Sequence, residues 1–142
     1  MSDPQPDVDA ALDDQPYAWL TTLGRRSRQP RTVELWFHLA GPTLWFLAGD
    51  GDRANWVRNA LTEPQVRVRL GARRFRGLAR ASSPGSDDDQ AAREALAGKY
   101  QGWTEGRPLS AWARNSFCMA VDLVSEDTDP PPPDPPWSFG ER

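Results

Sequence analysis

Residues 65–81 read QVRVRLGARRFRGLARA, and this stretch decides the fold class. Val66, Val68 and Leu70 alternate with arginines up to Gly71-Ala72, and a similar alternation of small or apolar residues with arginine resumes over residues 73–81. Alternation with a period of two is typical of strands that bury one face. The stretch therefore predicts two antiparallel strands about a tight turn. We expect its arginines to form a solvated outer face and not a ligand site.

Further strands and helices are predicted on both sides of this hairpin. Strands are predicted over residues 17–23, 31–39, 43–48 and 116–124, and helices over residues 53–61 and 86–100. Asp52 is the N-cap candidate of the first helix, and residues 87–89 are acidic at the start of the second, where the helix dipole favours them. The resulting order β-β-β-α-β-β-α-β indicates a small antiparallel barrel with helices outside it.

Two acidic segments flank the barrel domain, for which we expect the bounds 16–126. Residues 1–15 are predicted to be a flexible acidic leader. Residues 127–142 form a Pro-rich acidic tail, in which prolines at 130–133 and 135–136 cannot join a strand ladder or a helix interior. Trp137 and Phe139 in this tail are candidates for docking back onto the body.

Composition points to one domain with an anionic partner. The chain has 142 residues and a net charge of −3, but residues 20–80 hold 12 Arg and four acids, a local balance of 12 − 4 = +8. A basic body suits a phosphorylated cofactor, a polyglutamate or a nucleic acid. Lys99 is the only lysine, so almost all basic residues are arginines. This bias is common in GC-rich genomes and typical of actinobacterial composition.

The same composition excludes several kinds of chemistry and indicates the compartment. The single Cys118 cannot form an internal disulfide, and neither a secretory signal nor a membrane-length apolar run is present, so we expect a cytoplasmic protein. One histidine, His38, and one cysteine make a His/Cys metal site untenable, and no P-loop or Rossmann glycine motif occurs. Chemistry is therefore expected from a bound cofactor, which the protein would bind and orient.

The stretch LTTLGRRSRQPR at residues 20–31 carries the strongest functional signal. It reads as strand, tight turn and strand with four arginines, whose guanidinium groups match phosphate and carboxylate oxygens. The hydroxyl of Thr22 and the backbone at Gly24 could add donors. A solvated hairpin tip is an equal alternative on this stretch alone.

Three motifs in order resemble the deazaflavin-dependent nitroreductase and quinone reductase family, within the pyridoxamine 5'-phosphate oxidase-like split-barrel superfamily. The first is the arginine-rich stretch at 20–31, and the second is Leu35-Trp36-Phe37. The third is matched by Trp56, Asn59, Pro64, Val66 and Val68. The resemblance covers residues 17–124. It implies a mainly β (α+β) fold, namely a six-stranded antiparallel split β-barrel with two or three flanking helices.

The resemblance also implies a set of site residues. Arg25, Arg26 and Arg31 would hold the phosphate and polyglutamate tail of coenzyme F420, and Trp36 would lie near the deazaflavin ring. The remaining residues of the expected cofactor-binding set are Thr22, Gly24, Gly49, Asp50, Gly51, Trp56 and Asn59. Tyr100 and Trp103, with Trp36, would shape the substrate pocket, and Tyr100 is the candidate proton donor.

Three residues depart from the family pattern. Arg28 stands where the family usually has Gly, and Glu34 where many members have Pro. Asp50 replaces a basic residue, which weakens anion binding by that loop. The expected function is an F420H2-dependent oxidoreductase that transfers hydride to an electron-poor small molecule such as a quinone, enone or nitro compound. An FMN- or FAD-binding split-barrel reductase and a non-catalytic F420 carrier are the alternatives. We expect no nucleic-acid partner and no metal, and a homodimer by analogy with the superfamily.

Overall fold

Seven strands form one curled antiparallel sheet in the computed structural model, which describes residues 8–127. The strands are β1 (Ala18–Leu23), β2 (Pro30–Leu35), β3 (His38–Ala40), β4 (Thr43–Ala48), β5 (Gln65–Leu70), β6 (Arg73–Ala81) and β7 (Phe117–Glu126). Their order across the sheet is β2-β1-β5-β6-β7-β4-β3. The mainly β prediction is confirmed, and the sheet is a half-barrel.

The prediction of six strands is wrong because the expected strand at 31–39 divides in two. Its first part pairs with β1, whereas its second part pairs with β4. Between them, the Phe37 N–H donates to the Tyr100 hydroxyl at 3.2 Å, and the Phe37 carbonyl accepts from Lys99 Nζ at 3.1 Å. Side chains of a distant helix therefore replace the ladder at this point, and the chain changes from one edge of the sheet to the other.

This division also explains the curl of the sheet. Strands β2 and β3 are its two edges, yet only Trp36 and Phe37 separate them in the chain. Three steps along an extended backbone span about 10 Å at most. The two edges of a seven-stranded sheet are therefore held within that distance, which a flat sheet would not permit.

Three helices lie against the sheet: α1 (Asn55–Thr62), α2 (Asp87–Gln101) and α3 (Ala111–Asn115). Helix α2 begins where predicted, with the Ser86 hydroxyl accepting from the Asp89 N–H, and ends at Gly102 in the left-handed conformation. The predicted helix at 53–61 begins later, because residues 51–53 form a short 3₁₀ turn. Its N-cap is Ala54 and not Asp52.

The hairpin at 65–81 is confirmed, and three of its arginines, Arg73, Arg76 and Arg80, pair with acidic side chains. Gly77 faces the core, where an added Cβ would lie 2.6 Å from a methyl group of Val121. A register shift between Arg76 and Gly77 leaves Val124 of β7 as an extra residue, as in a β-bulge. This bulge bends the sheet beside the end of β7.

The apolar side chains form two clusters on opposite faces of the sheet. The inner face buries a large cluster that includes Phe37, Phe46 and Phe75, which are all fully buried. The outer face of β4 and β7 buries a smaller cluster, with Trp45 beneath Leu96 of α2. The sheet is thus covered outside by α2 and α3 only over its β4–β7 half.

The second half of the predicted leader is folded. Residues 10–14 form a 3₁₀ turn, and Asp13 accepts from the Leu39 N–H at 2.8 Å and lies 3.5 Å from His38 Nδ1. Residues 1–7 and the Pro-rich tail fall outside the described residues, so the domain bounds stay a prediction. None of the helices within residues 8–127 is both long and apolar enough to cross a membrane.

Candidate functional site

The arginine-rich stretch forms a tight turn between β1 and β2. The Gly24 N–H donates to the Gln29 carbonyl at 2.8 Å, and the Arg28 N–H donates to the Gly24 carbonyl at 2.9 Å. A Cβ on Gly24 would lie 2.5 Å from the Ser27 hydroxyl. Arg28 has a φ of 59°, the left-handed region that favours glycine. The Gly24 N–H is thus occupied within the turn, and Arg28 holds a conformation that the family's glycine adopts more easily.

Side-chain hydrogen bonds fix Arg25 against α1. Its guanidinium donates to Asn59 Oδ1 at 2.9 Å and to Asn55 Oδ1 at 3.4 Å, and its backbone N–H also donates to Asn59 Oδ1 at 3.2 Å. Asn59 is buried, and its amide nitrogen donates to the Thr22 hydroxyl at 3.4 Å. Three predicted cofactor-binding residues, Thr22, Arg25 and Asn59, therefore form one hydrogen-bonded group.

Arg31 lies on the same face as this group. It is the cross-strand partner of Thr22, and cross-strand partners project to one side of a sheet. The side of β1 that carries Thr22 also carries the buried Leu20. Arg31 is exposed, at the end of β2 where the inner face of the barrel opens. The turn thus presents positive charge at one rim of the barrel.

The charge of this turn is not neutralised within residues 8–127. No carboxylate there lies within 4 Å of the guanidinium groups of Arg25, Arg26, Arg28 or Arg31. Four arginines elsewhere in the described chain do form ion pairs, whereas Arg53 and Arg58, for example, do not. Ion pairs join Arg73 to Glu126, Arg76 to Asp127, Arg80 to Asp122 and Arg93 to Asp89. Asn59 and Asn55 supply Arg25 with neutral acceptors only, which orient the guanidinium and leave its charge available to an anion.

An aromatic cluster lies where β2 ends. The Trp36 ring stacks on Tyr100 of α2 with centroids 4.4 Å apart and an interplanar angle of 4°. Trp112 of α3 meets Trp36 edge to face at 5.4 Å. Trp36 is 38% exposed, whereas the other two rings are half-buried. The cluster therefore presents the partly exposed Trp36 indole, which two half-buried aromatic rings contact.

The Tyr100 hydroxyl is engaged with the backbone. It accepts from the Phe37 N–H and donates to the Pro16 carbonyl at 2.9 Å. Burial raises the pKa of Tyr100, and burial likewise lowers the pKa of the neighbouring Lys99. A proton transferred from this hydroxyl would have to leave its bond to Pro16.

The loop after β4 connects the aromatic cluster to the arginine turn. A Cβ on Gly49 would lie 3.3 Å from the Trp112 ring, so Gly49 lets that ring approach the backbone. Asp50 is exposed, and its carbonyl accepts from the Arg53 N–H. Gly51 has a φ of +62° and leads into the turn before α1. Residues 49–59 thus run from the aromatic cluster to the asparagines that hold Arg25.

Two other predicted site residues have different surroundings. Trp56 packs edge to face on the core residue Phe46, with centroids 6.1 Å apart, as a core side chain would. The Trp103 indole donates to the Arg107 carbonyl at 2.7 Å, within its own loop. Arg26 is exposed.

Sequence reasoning missed two residues of the site, Asn55 and Trp112. Asn55 is four residues before Asn59, a spacing that places both amides on one side of a helix. Trp112 is on the five-residue α3, whose start is signalled by Ser110, the hydroxyl of which accepts from the Ala113 N–H. Both signals were local and could have been found.

Comparison with solved structures supports the fold. An F420 reductase has a TM-score of 0.59 at 19% identity, covering 87% of this chain and 99% of its own. A candidate pyridoxamine 5'-phosphate oxidase from Listeria innocua has a TM-score of 0.56 at 17% identity, covering 82% of this chain and 88% of its own. An FAD-binding protein from Mesorhizobium loti has a TM-score of 0.56 at 16% identity, covering 82% and 86%.

No curated protein matches the chain. Residues 5–110, however, match a family of oxidoreductases described as F420H(2)-dependent quinone reductase, which confirms the resemblance read from the three motifs. The match contains the arginine turn, Trp36, the loop at 49–51, α1 and Tyr100. The chain belongs to the F420H(2)-dependent quinone reductase family.

Proposed function

We propose that the protein binds reduced F420 and uses it to reduce an electron-poor small molecule, with a quinone, an enone or a nitro compound as the substrate class. The observation that carries this proposal is the arginine turn, where four guanidinium groups have no carboxylate partner within residues 8–127. Asn55 and Asn59 hold one of them in place. An anionic ligand would complete this arrangement.

The residues present fit a long cofactor with an anionic tail and a flat ring. Arg25 and Arg31 would bind the phosphate, and Arg26 and Arg28 would contact further carboxylates of the tail. Arg31 lies near the start of β2 and Trp36 directly after its end, five residues later, or about 17 Å for an extended backbone. That separation allows the ring to lie near Trp36 and Gly49 while the tail remains on the turn. When bound, the cofactor supplies the hydride.

The aromatic cluster is proposed to form the acceptor pocket. Trp36 and Trp112 would limit the pocket to planar acceptors, and Tyr100 would fix the Trp36 ring by stacking. The proton-donor role of Tyr100 stays a prediction, which Tyr100→Phe tests. If the hydroxyl supplies a proton, kcat falls and the Kd for F420 is unchanged. If it only holds Phe37 and Pro16, only stability falls.

A fluorescence titration with F420 tests the proposal. Removing one charge-assisted hydrogen bond costs about 1.5–3 kcal/mol, so Arg25→Ala and Arg31→Ala should each weaken binding about 10- to 100-fold. Arg25→Lys keeps the charge but cannot engage both asparagines, so it should restore binding only in part. Arg80→Ala is the matched control, because it removes an exposed arginine that is paired with Asp122.

The same titration decides between the alternatives. Tighter binding of FMN than of F420 would place the protein among the flavin reductases that share this fold. F420 binding without turnover of any acceptor would favour a carrier, for which the exposed Asp50 in place of a basic residue is the supporting observation. Equal affinity in wild type and Arg25→Ala would refute the assignment of the turn. We expect the protein to act in the cytoplasm, and sedimentation would test the predicted homodimer.

A further inference from the structure

An open groove crosses the outer face of the sheet, away from α2 and α3. It encloses about 610 Å³ and runs over β7, β6, β5, β1 and the start of β2. Leu78 and Val124 line it and are 46% and 49% exposed, an unusual state for large apolar residues on neighbouring strands. Leu23 and Pro30 form its far end. Apolar and polar side chains both line the groove, which has no covering element among residues 8–127.

The chain leaves the described region at the edge of this groove. Ser125, near the end of β7, lines it. The Asp127 N–H donates to the Arg74 carbonyl at 2.8 Å, and its carboxylate pairs with Arg76, another lining residue, at 3.1 Å. The bulge at Val124 turns successive side chains of β7 outward at this point. Asp127, the last residue that the structure describes, therefore lies beside the groove.

We propose that the Pro-rich tail, residues 128–139, lies across this groove with its prolines over Leu78 and Val124 and with Trp137 and Phe139 against Leu23 and Pro30. This inference is independent of the cofactor and of the proposed reaction. It assigns a place on the protein to the two aromatic residues that the barrel does not use.

The length of the tail matches the width of the groove. From β7 to β2 there are four strand spacings, or about 19 Å. Residues 130–136 contain six prolines among seven residues, and an extended polyproline segment of that length spans about 22 Å. Thr128 and Asp129 would make the turn from β7 into the groove. Trp137 then falls at the far end and not in the middle.

Backbone chemistry and charge favour this face over the sheet edges. Proline has no N–H, so the segment cannot add to β2 or β3 as a further strand and must bind through side-chain contact. Its acidic residues Asp129 and Asp134 would lie near Arg67, and Arg76 at the entrance of the groove already pairs with Asp127. The charges of tail and groove are thus complementary.

Paramagnetic relaxation in the full chain tests the proposal. A nitroxide is attached at Ser138→Cys, and the buried Cys118, which is 3% exposed, stays unlabelled. The amide signals of Leu23, Leu78 and Val124 should lose intensity, whereas that of Ala92, on α2 and away from the groove, should not.

Matched variants separate docking from chance proximity. Leu78→Asp should restore the intensities at Leu23 and Val124, whereas Leu61→Asp should not, because Leu61 is 44% exposed but outside the groove. Val124→Asp is the second groove variant in case the first does not fold. Uniform or absent intensity loss overturns the proposal. A mixture of spin-labelled chains without isotope and isotope-enriched chains without label gives a second check. Intensity loss in that mixture also overturns the proposal, because the tail of a second copy would then occupy the groove.

Discussion

Asp89→Asn, a nearly isosteric substitution that removes one negative charge, should strongly destabilise the protein. Asp89 is 3% exposed and accepts from Arg93 Nε at 2.7 Å and from the Ser82 hydroxyl. Arg93 in turn donates to the carbonyls of Ala113 and Ser116 at 3.0 and 2.9 Å. This one pair therefore joins α2 both to β6 and to the end of α3.

The structure indicates the magnitude. Removing one partner of a buried ion pair costs about 3–5 kcal/mol, because the other charge is left uncompensated. Arg93 is 14% exposed and would keep its carbonyl acceptors, so the lower end of that range, about 3 kcal/mol, is expected. For a chain of this size that corresponds to a fall in Tm of roughly 6–12 °C.

Urea unfolding followed by circular dichroism measures the effect, with Asp88→Asn as control. Asp88 is exposed and also lies in the first turn of α2, so its neutralisation removes a similar favourable interaction with the helix dipole but no ion pair. The difference between the two variants isolates the Arg93 pair. A difference below about 1 kcal/mol would refute the reasoning, because a solvent-exposed ion pair contributes that much to stability.

The acid dependence of the same variant gives a second readout. Burial acts to raise the pKa of Asp89, but the bonds from Arg93 and Ser82 outweigh it and lower the pKa. A lowered folded-state pKa stabilises the protein above the unfolded value of about 3.9 and loses that effect as pH falls below it. The difference in free energy of unfolding between wild type and Asp89→Asn should therefore be largest at neutral pH and should decrease below about pH 4.

Three further changes test other parts of the structure. Gly77→Ala should lower the free energy of unfolding in urea by about 1–3 kcal/mol, because the new methyl group collides with Val121 in a packed core. An unchanged unfolding midpoint would contradict this, because the core would then accommodate the methyl group. Arg28→Gly should leave stability unchanged or raise it by up to about 1 kcal/mol, since a left-handed residue is relieved, yet weaken F420 binding; a clear loss of stability would contradict this. The bond from Arg80 lowers the pKa of Asp122, so Asp122→Asn should flatten the loss of stability below about pH 4 in an acid titration, and an unchanged slope would contradict the pairing.

Much of the strand pattern could be predicted from the sequence because it depends on local alternation. The hairpin at 65–81 and helix α2 have the expected positions, since each buries a face that its own residues define. The break at Trp36 and Phe37 could not be predicted. The alternation of Val33, Leu35, Phe37 and Leu39 continues through it, while the backbone partners come from a helix more than 60 residues later.

The site was predictable in its residue types but not in its geometry. The three motifs indicated Thr22, Arg25 and Asn59. The spacing of these residues in the chain does not predict that Asn59 hydrogen-bonds to both Arg25 and Thr22. The aromatic cluster depends on α3, whose N-cap Ser110 is a local signal but whose five residues are too few to show a helical period. Its end is held by Arg93, 20 and 23 residues before the two carbonyls that it contacts. Long-range capping of this kind has no local signal.

The order of the strands has a consequence for synthesis of the protein. The last strand, β7, occupies an interior place between β6 and β4, and the Thr43 hydroxyl bonds to Asp122, 79 residues later. Until β7 has left the ribosome, one edge of β6 and one edge of β4 therefore have no partner strand. The barrel can complete itself only after translation of the domain is almost finished, so the nascent chain should engage chaperones until that point.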